Sequence, residues 1–170
     1  MGESVELSAQ KVAATLAGRH KGHAGDRAVL EAIYRDTNGD EWDKRKRENW
    51  ISDKPLYKWN GISTDEMTGQ VTKLYLTVTN LTGSIPDSVG KLSNLQELDL
   101  SHNKLTGSIP DSVGKLSNLQ KLDLSHNKLT GSIPDSVGEL SNLQKLDLSH
   151  NKLTGSIPDS VGKLSNLQKL

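Results

Sequence analysis

Histidine and aspartate residues recur at a fixed interval in this chain. His102, His126 and His150 are 24 residues apart, and each follows an aspartate by three residues. Imidazoles held near 5 Å apart could share a zinc ion. Their spacing equals the length of a repeated segment, however, which is typical of residues copied with the repeat. The pattern therefore predicts no metal site and no cofactor.

Other catalytic groups are scarce in the sequence. The chain has no cysteine, which removes disulfides, thiolate zinc sites and cysteine nucleophiles together. The recurring Val-Gly-Lys-Leu segments lack the upstream glycine spacing of a phosphate-binding loop. No serine nucleophile motif occurs either, so the sequence predicts a protein that is not an enzyme.

Charge and hydropathy exclude two classes of partner. Lysine plus arginine and aspartate plus glutamate both number 21, so no net field attracts nucleic acid or anionic lipid. No apolar run approaches the roughly 20 residues that span a bilayer. The first 25 residues lack the apolar core of a secretory signal. These features predict a cytoplasmic protein without membrane insertion; an extracellular or cell-surface protein is the alternative.

The repeated segment predicts the fold. From Leu81 the chain reads LTGSIPDSVGKLSNLQELDLSHNK, and this 24-residue unit starts again at Leu105, Leu129 and Leu153, with the last copy ending at Leu170. Leucines alternate with polar residues in LQKLDLS, as in a strand with one buried face. The rest of the unit contains glycine and proline, which favour an extended piece and a short helical turn. Stacked units bury what one unit cannot.

The pattern LxxLxLxxNxLTGxIPxxxGxL resembles the plant-type leucine-rich repeat, which is also common in algal proteins. The resemblance implies an α/β solenoid: a curved right-handed superhelix with a parallel β-sheet on its concave face. It also implies a second short sheet beside the first, at the LTGxIP segments. Proteins of this kind commonly recognise other proteins on the concave face.

Upstream of the repeats the sequence predicts a helical N-terminal cap. We assign residues 1–25 to an extension that is a weak helix or disordered, 26–70 to the cap, 71–80 to a degenerate first strand, and 81–170 to four repeats, the last truncated. The cap helix is expected to open at Asp26. Trp42, Trp50 and Trp59 all lie in the cap, where we expect them to cover the open end of the solenoid; an aromatic ligand pocket is the alternative.

One motif strengthens the resemblance of this segment to the caps of plant and algal repeat proteins. In that family a W-x-G-(V/I) motif precedes the first strand, and here it reads Trp59-Asn60-Gly61-Ile62. Secreted members carry cysteines around the motif, where this chain has Tyr57 and Thr64. A cap without its disulfide fits a reducing compartment.

The candidate ligand-binding residues are those that the strands and their corners should present on the concave face. They are Lys73, Tyr75, Glu97, Asp99, His102, Lys121, Asp123, His126, Lys145, Asp147 and His150. Aspartates stacked this closely repel each other by roughly 1–3 kcal/mol per pair, and the adjacent lysines should compensate in a mixed lattice of charge.

Two functions remain open at the level of sequence. The first is a protein-recognition or scaffold module, a fragment of a larger protein, that binds a protein partner. The second is a consensus-like or engineered structural repeat without a specific ligand, which the near-identity of the copies favours. An uncovered last repeat would expose Ile157, Val161, Leu164 and Leu167 and could self-associate or fray.

Overall fold

The computed structural model describes residues 22–170, so most of the predicted N-terminal extension lies outside the described residues. Helix α1 spans Ala24–Asp36 and buries Val29, Leu30 and Ile33. It begins two residues before Asp26, so the predicted start was wrong. The cause is His23, whose Nδ1 accepts the Asp26 N–H at 3.2 Å and caps the helix.

Five strands form one sheet in chain order: β1 (Ile62–Thr64), β2 (Val71–Tyr75), β3 (Glu97–Asp99), β4 (Lys121–Asp123) and β5 (Lys145–Asp147). Strands β2 to β5 are parallel. Strand β1 pairs antiparallel with β2, and the sequence did not predict it. It follows the Trp-x-Gly-Ile motif directly, and the Tyr75 N–H donates to the Gly61 carbonyl at 2.8 Å.

The register of the sheet follows the repeat. Lys121 pairs with Glu97 on one side and with Lys145 on the other. Because each parallel pair is offset by one repeat length, every column of the repeat becomes a row of like residues across the sheet. Leu98, Leu122 and Leu146 form such a row and are at most 2% exposed. The polar residues on either side of these leucines form the concave face.

The chain returns from each strand through a short 3₁₀ helix. These helices span Asp87–Lys91, Asp111–Lys115, Asp135–Glu139 and Asp159–Lys163, and each begins after a proline. Beside them the LTGSIP segments touch through two parallel bridges, Ser108 to Thr130 and Ser132 to Thr154. This contact lies where the resemblance implied a second sheet.

The interior is a row of aliphatic layers closed by aromatic residues at one end. Trp42, Trp50 and Trp59 are 2%, 7% and 1% exposed, as expected for a cover rather than for an open pocket. At the other end the sequence expectation was partly wrong. Ile157 is 57% exposed, but Val161 and Leu164 are only 8% and 6% exposed, because one flank of each packs on the preceding layer.

Glycines set how closely the layers approach. A Cβ at Gly114 would lie 2.6 Å from both the Cβ and the carbonyl oxygen of Ser136 in the next repeat. We expect Gly114→Ala to lower the free energy of unfolding by about 1–3 kcal/mol, because the layers must separate to admit the methyl group. Urea denaturation measures the effect.

The matched control is Gly162, which occupies the same column of the fourth repeat. No described atom lies within 4 Å of a Cβ built there. Gly162→Ala should leave stability unchanged or raise it by about 0.5 kcal/mol. Equal destabilisation by both substitutions would show that backbone conformation, rather than contact between layers, requires the glycine.

In the described part of the chain, no helix is long and apolar enough to cross a membrane.

Candidate functional site

The aspartates of the concave face are held by hydrogen bonds within their own repeat. Oδ1 of Asp99 accepts the backbone N–H of Ser101 at 3.0 Å and its hydroxyl at 2.6 Å. The same two bonds recur at Asp123 and at Asp147. This local turn follows from an Asp-Leu-Ser sequence at the end of a strand, where the side chain can bind its own backbone two residues on.

Lysines link the aspartates across repeats. Lys121 Nζ lies 3.3 Å from Asp99 Oδ2, and Lys145 Nζ lies 3.8 Å from Asp123 Oδ2. At the first step Lys73 Nζ lies 3.4 Å from Glu97 Oε2. Each pair joins neighbouring strands, so the row of aspartates is linked to the adjacent row of lysines and charges of both signs lie side by side.

The concave face is therefore less open than its sequence suggested. We expected its polar residues to be free of the core, but Asp99 and Asp123 are only 7% and 8% exposed. Hydrogen bonds and ion pairs allow this burial of charge. Asp147 is more exposed, and the hydrogen bond from the Ser149 hydroxyl lowers its pKa below the usual range of an aspartate. Its carboxylate is ionised at neutral pH.

Tyr75 is the largest side chain on this face. It is half-buried, and Lys121 Nζ lies 5.5 Å from the centre of its ring. Tyr75 lies in β2, the degenerate first strand, at the position that pairs with Asp99 of β3. The only predicted site residue with an aromatic ring besides the histidines thus stands at the cap end of the face.

The three histidines form a stack along the edge of the concave face. The ring centres of His102 and His126 are 4.2 Å apart, and those of His126 and His150 are 4.1 Å apart, with ring planes inclined by 12° and 13°. All three residues have positive φ angles of 53–56° and are exposed. Val78 precedes them in the same column with φ 50°. We call this row of three rings the histidine ridge.

Desolvation, together with the two neighbouring rings, favours the neutral form of the central ring. Desolvation lowers the pKa of His126 most, the neighbouring His150 and His102 lower it further, and Asp147 and Asp123 oppose them. The folded pKa is thus below the unfolded value of about 6.5. The unfolded chain takes up the proton first as the pH falls, so this histidine contributes stability above pH ~6.5 that is lost as the pH falls toward the folded pKa.

We expect urea denaturation to show lower stability at pH 5.5 than at pH 7.5. In His126→Asn the difference between the two pH values should shrink, since the central ring is gone and asparagine tolerates positive φ. Thr130→Asn, at an exposed position of the following unit, should keep the full difference. An unchanged difference in His126→Asn would show that other groups cause the loss.

The stack is poorly arranged for metal binding. Near-parallel rings direct their nitrogen lone pairs side by side rather than toward one point. Among residues 22–170 no group of three or more histidine, cysteine, aspartate or glutamate side chains is placed to hold a metal ion.

One structural role was not evident from the sequence. Asp26 is 1% exposed, and its Oδ2 accepts the Val71 N–H at 2.8 Å, which joins α1 to the start of β2. Burial raises the pKa of Asp26, while the Val71 N–H and His23 oppose the rise. Its sequence signal, an acidic residue near the start of a helix, looks the same as that of an exposed helix cap.

Comparison with known proteins shows which families and solved structures this chain resembles. The family profile described as Leucine rich repeat matches residues 69–129, and the one described as Leucine Rich repeats (2 copies) matches 117–159. The BIR2 ectodomain of Arabidopsis thaliana is 31% identical with a TM-score of 0.77, and the match covers 88% of this chain and 78% of that one. A chain of the BIR3–SERK2 complex of the same plant is 36% identical with a TM-score of 0.70, and the match covers 82% and 79%.

A curated relative is much longer than this chain. The nodulation receptor kinase of Pisum sativum is 37% identical over 81 residues, which are 46% of this chain and 9% of the relative. That match covers only the repeat region, so it says nothing about a kinase activity here. The repeats, the parallel sheet and the N-terminal helix all agree with plant receptor ectodomains, and the chain belongs to the leucine-rich-repeat family.

Proposed function

We propose that this chain is a non-enzymatic recognition module that binds a protein or peptide partner through its concave face. The observation that carries the proposal is the likeness of its whole repeat array to plant receptor ectodomains, one of which was solved as a complex of two proteins. The concave face offers Tyr75 and a lattice of paired charges. Such a lattice favours a partner with complementary charges of both signs.

The proposal is tested by a pull-down with a variant that loses charge on the concave face but keeps the shape of the side chains. Asp99→Asn, Asp123→Asn and Asp147→Asn together keep the Oδ1 acceptor that holds each serine but leave Lys121 and Lys145 without their counter-charges. We expect a partner recovered with the unmodified chain to be lost or weakened at least tenfold.

The matched control carries the same substitutions away from the sheet, at Asp111, Asp135 and Asp159. These aspartates are exposed and begin three of the 3₁₀ helices. Retention of the partner by this control and loss by the concave variant supports recognition on the concave face. Equal loss in both variants places the partner elsewhere.

The second candidate function is a structural repeat array without a specific ligand, whether consensus-like or engineered. It is favoured by the sequence identity of the copies, since only two columns differ among them. A surface selected for one irregular ligand usually varies between repeats. Recovery of no partner at all in the same pull-down would favour this array.

A finer assignment concerns the type of repeat and cap. We infer a plant- or algal-type 24-residue LTGxIP repeat with a cysteine-free cap. The cap is closed by tryptophan packing, with Trp50 and Trp59 ring centres 5.1 Å apart. Such a cap needs no oxidant to fold, which supports the cytoplasmic prediction, whereas the plant ectodomains support the extracellular alternative.

The cap assignment predicts a disulfide. If Tyr57 and Thr64 occupy the cysteine positions of the secreted members, Tyr57→Cys with Thr64→Cys should form an intramolecular disulfide on mild oxidation. Mass spectrometry after alkylation counts the free thiols. Two free thiols in the folded monomer would contradict the alignment, and Tyr57→Cys alone serves as the control for intermolecular oxidation.

We also propose that a chain of these 170 residues self-associates through the fourth repeat. Ile157 and Leu170 are 57% and 70% exposed beside Leu148 and Leu153. Pairing of two such ends would bury this apolar surface. Light scattering should detect a dimer that Ile157→Lys abolishes; a monomer at all concentrations would contradict the proposal.

A further inference from the structure

One asparagine of the chain lies in an acceptor motif for N-linked glycosylation. Asn80, Leu81 and Thr82 read Asn-x-Thr with no proline in the middle, the pattern to which the secretory pathway attaches oligosaccharides. No other asparagine in the sequence is followed two residues later by serine or threonine. The motif is therefore a single, defined candidate for covalent modification.

The repeat shows why the motif occurs only once. Asn80 occupies the column that holds Lys104, Lys128 and Lys152 in the following units, and each of these lysines precedes the same Leu-Thr pair. All four residues of the column are exposed, so its direction toward solvent does not depend on the asparagine. Only the junction between the cap and the repeats combines this exposed position with the side-chain amide that an N-linked glycan needs.

The structure around Asn80 leaves room for both a local role and a glycan. Its φ angle is 67°, whereas none of the three lysines of the column has a positive φ, and asparagine tolerates this left-handed conformation better than most residues. Its Nδ2 donates to the Glu41 carbonyl at 3.0 Å. An N-linked glycan replaces one of the two hydrogens on Nδ2, so the other hydrogen remains for this bond.

We propose that Asn80 carries an N-linked glycan when this chain passes through the secretory pathway. In the transfer, Nδ2 bonds to the anomeric carbon of a lipid-linked oligosaccharide. The bond from that carbon to the lipid diphosphate breaks, the diphosphate leaves with the electron pair, and one amide proton is released. The proposal rests on the extracellular alternative for this chain, and it does not depend on whether the concave face binds a partner.

The attachment point lies at the junction of the cap and the repeats rather than on the concave face. Asn80 bonds to Glu41, the last residue of the cap's 3₁₀ helix Gly39–Glu41, and it stands five residues beyond Tyr75, where β2 ends. A glycan adds a bulky, solvated group at this edge. A partner of the concave face is therefore expected to contact the strands rather than the junction.

Secretion of the full chain tests the proposal. The 170 residues are expressed behind a cleavable secretion signal in mammalian cells. Intact masses are measured for every form from which the signal has been removed, whether secreted or retained. We expect one N-linked glycan per chain, which peptide N-glycosidase removes while converting Asn80 to aspartate, and tandem mass spectrometry locates that change. An unmodified mass in all processed forms would overturn the proposal.

Substitutions within the motif identify the acceptor. Asn80→Gln removes the acceptor amide and should lose the glycan completely. Thr82→Ser keeps the hydroxyl that the transfer requires and should retain the glycan, whereas Thr82→Ala should lose it. The serine variant is needed because the Thr82 hydroxyl also accepts a hydrogen bond from Asn38 at 2.6 Å. An N-linked glycan that remains in Asn80→Gln would overturn the assignment to this residue.

Lys104→Asn is the matched control, since it places an asparagine before Leu105 and Thr106 in the same column of the next unit. We expect this variant to carry a second glycan, because Lys104 is exposed. A glycan at Asn80 supports the proposal whatever the state of residue 104. A glycan at residue 104 alone would overturn it, because the column would then be accessible while the conformation at Asn80 excludes the transfer.

Discussion

Replacing Trp59 with alanine is expected to lower the free energy of unfolding by about 3–5 kcal/mol. The ring is 1% exposed and packs on Trp50, while the Arg27 guanidinium lies 5.0 Å from its centre. Its indole N–H donates to the Lys54 carbonyl at 3.2 Å. Removal of the ring leaves a cavity beneath the cap, and the Lys54 carbonyl loses its hydrogen-bond donor. The first layers of the solenoid therefore lose their cover.

Tyr57 provides the matched control, since it is an aromatic residue of the same segment that is 53% exposed. Tyr57→Ala should change the free energy of unfolding by no more than about 0.5 kcal/mol. Thermal and urea melts followed by circular dichroism compare the two variants. An unchanged midpoint for Trp59→Ala would mean that the tryptophan cluster does not close the solenoid.

Asn127→Ala is the second substitution with a large expected effect, about 2–4 kcal/mol. Asn127 is buried at the corner after β4, and its Oδ1 accepts the Leu105 N–H at 3.0 Å. Its amide donates to the carbonyls of Leu100, Leu124 and Ser125 at 2.9–3.2 Å. Alanine leaves these backbone groups without the partner that joins one repeat to the previous one.

The control for this prediction is the other asparagine of the same unit. Asn118 is exposed and donates one hydrogen bond, to the Ser93 carbonyl at 3.0 Å. Asn118→Ala should cost only about 0.5–1.5 kcal/mol. If the two variants unfold at the same urea concentration, the buried asparagine row is not what holds the corners together.

The strand positions and the direction of the sheet could be predicted because the repeat carries them several times over. Leu98, Leu122 and Leu146 share one column of a 24-residue unit, and a parallel stack of equal units can only align equal columns. The burial of the three tryptophans could be predicted for a similar reason: large aromatic rings at one end of a polar chain have few other places to pack.

Contacts between distant or short segments could not be predicted. Strand β1 has three residues, too few for any periodicity to be visible. The bond from the Val71 N–H to Asp26 joins residues 45 positions apart, and no local pattern records it. The start of α1 was misplaced because His23, rather than the more usual aspartate, caps it.

The candidate site likewise depends partly on sequence and partly on tertiary structure. The amino-acid sequence by itself determined the rows of side chains on the concave face, because it sets the residue type in each column of the repeat and identical columns must stack. Only the tertiary structure decided which of these groups remain available. Asp99 and Asp123 are drawn out of solvent because a serine in their own repeat and a lysine in the next one satisfy them. His102, His126 and His150 are left exposed because the positive φ angle at each corner turns their rings out of the sheet and against one another. The exposure and stacking of these rings require both the backbone conformation at the corner and a neighbouring repeat. The sequence of a single unit shows neither.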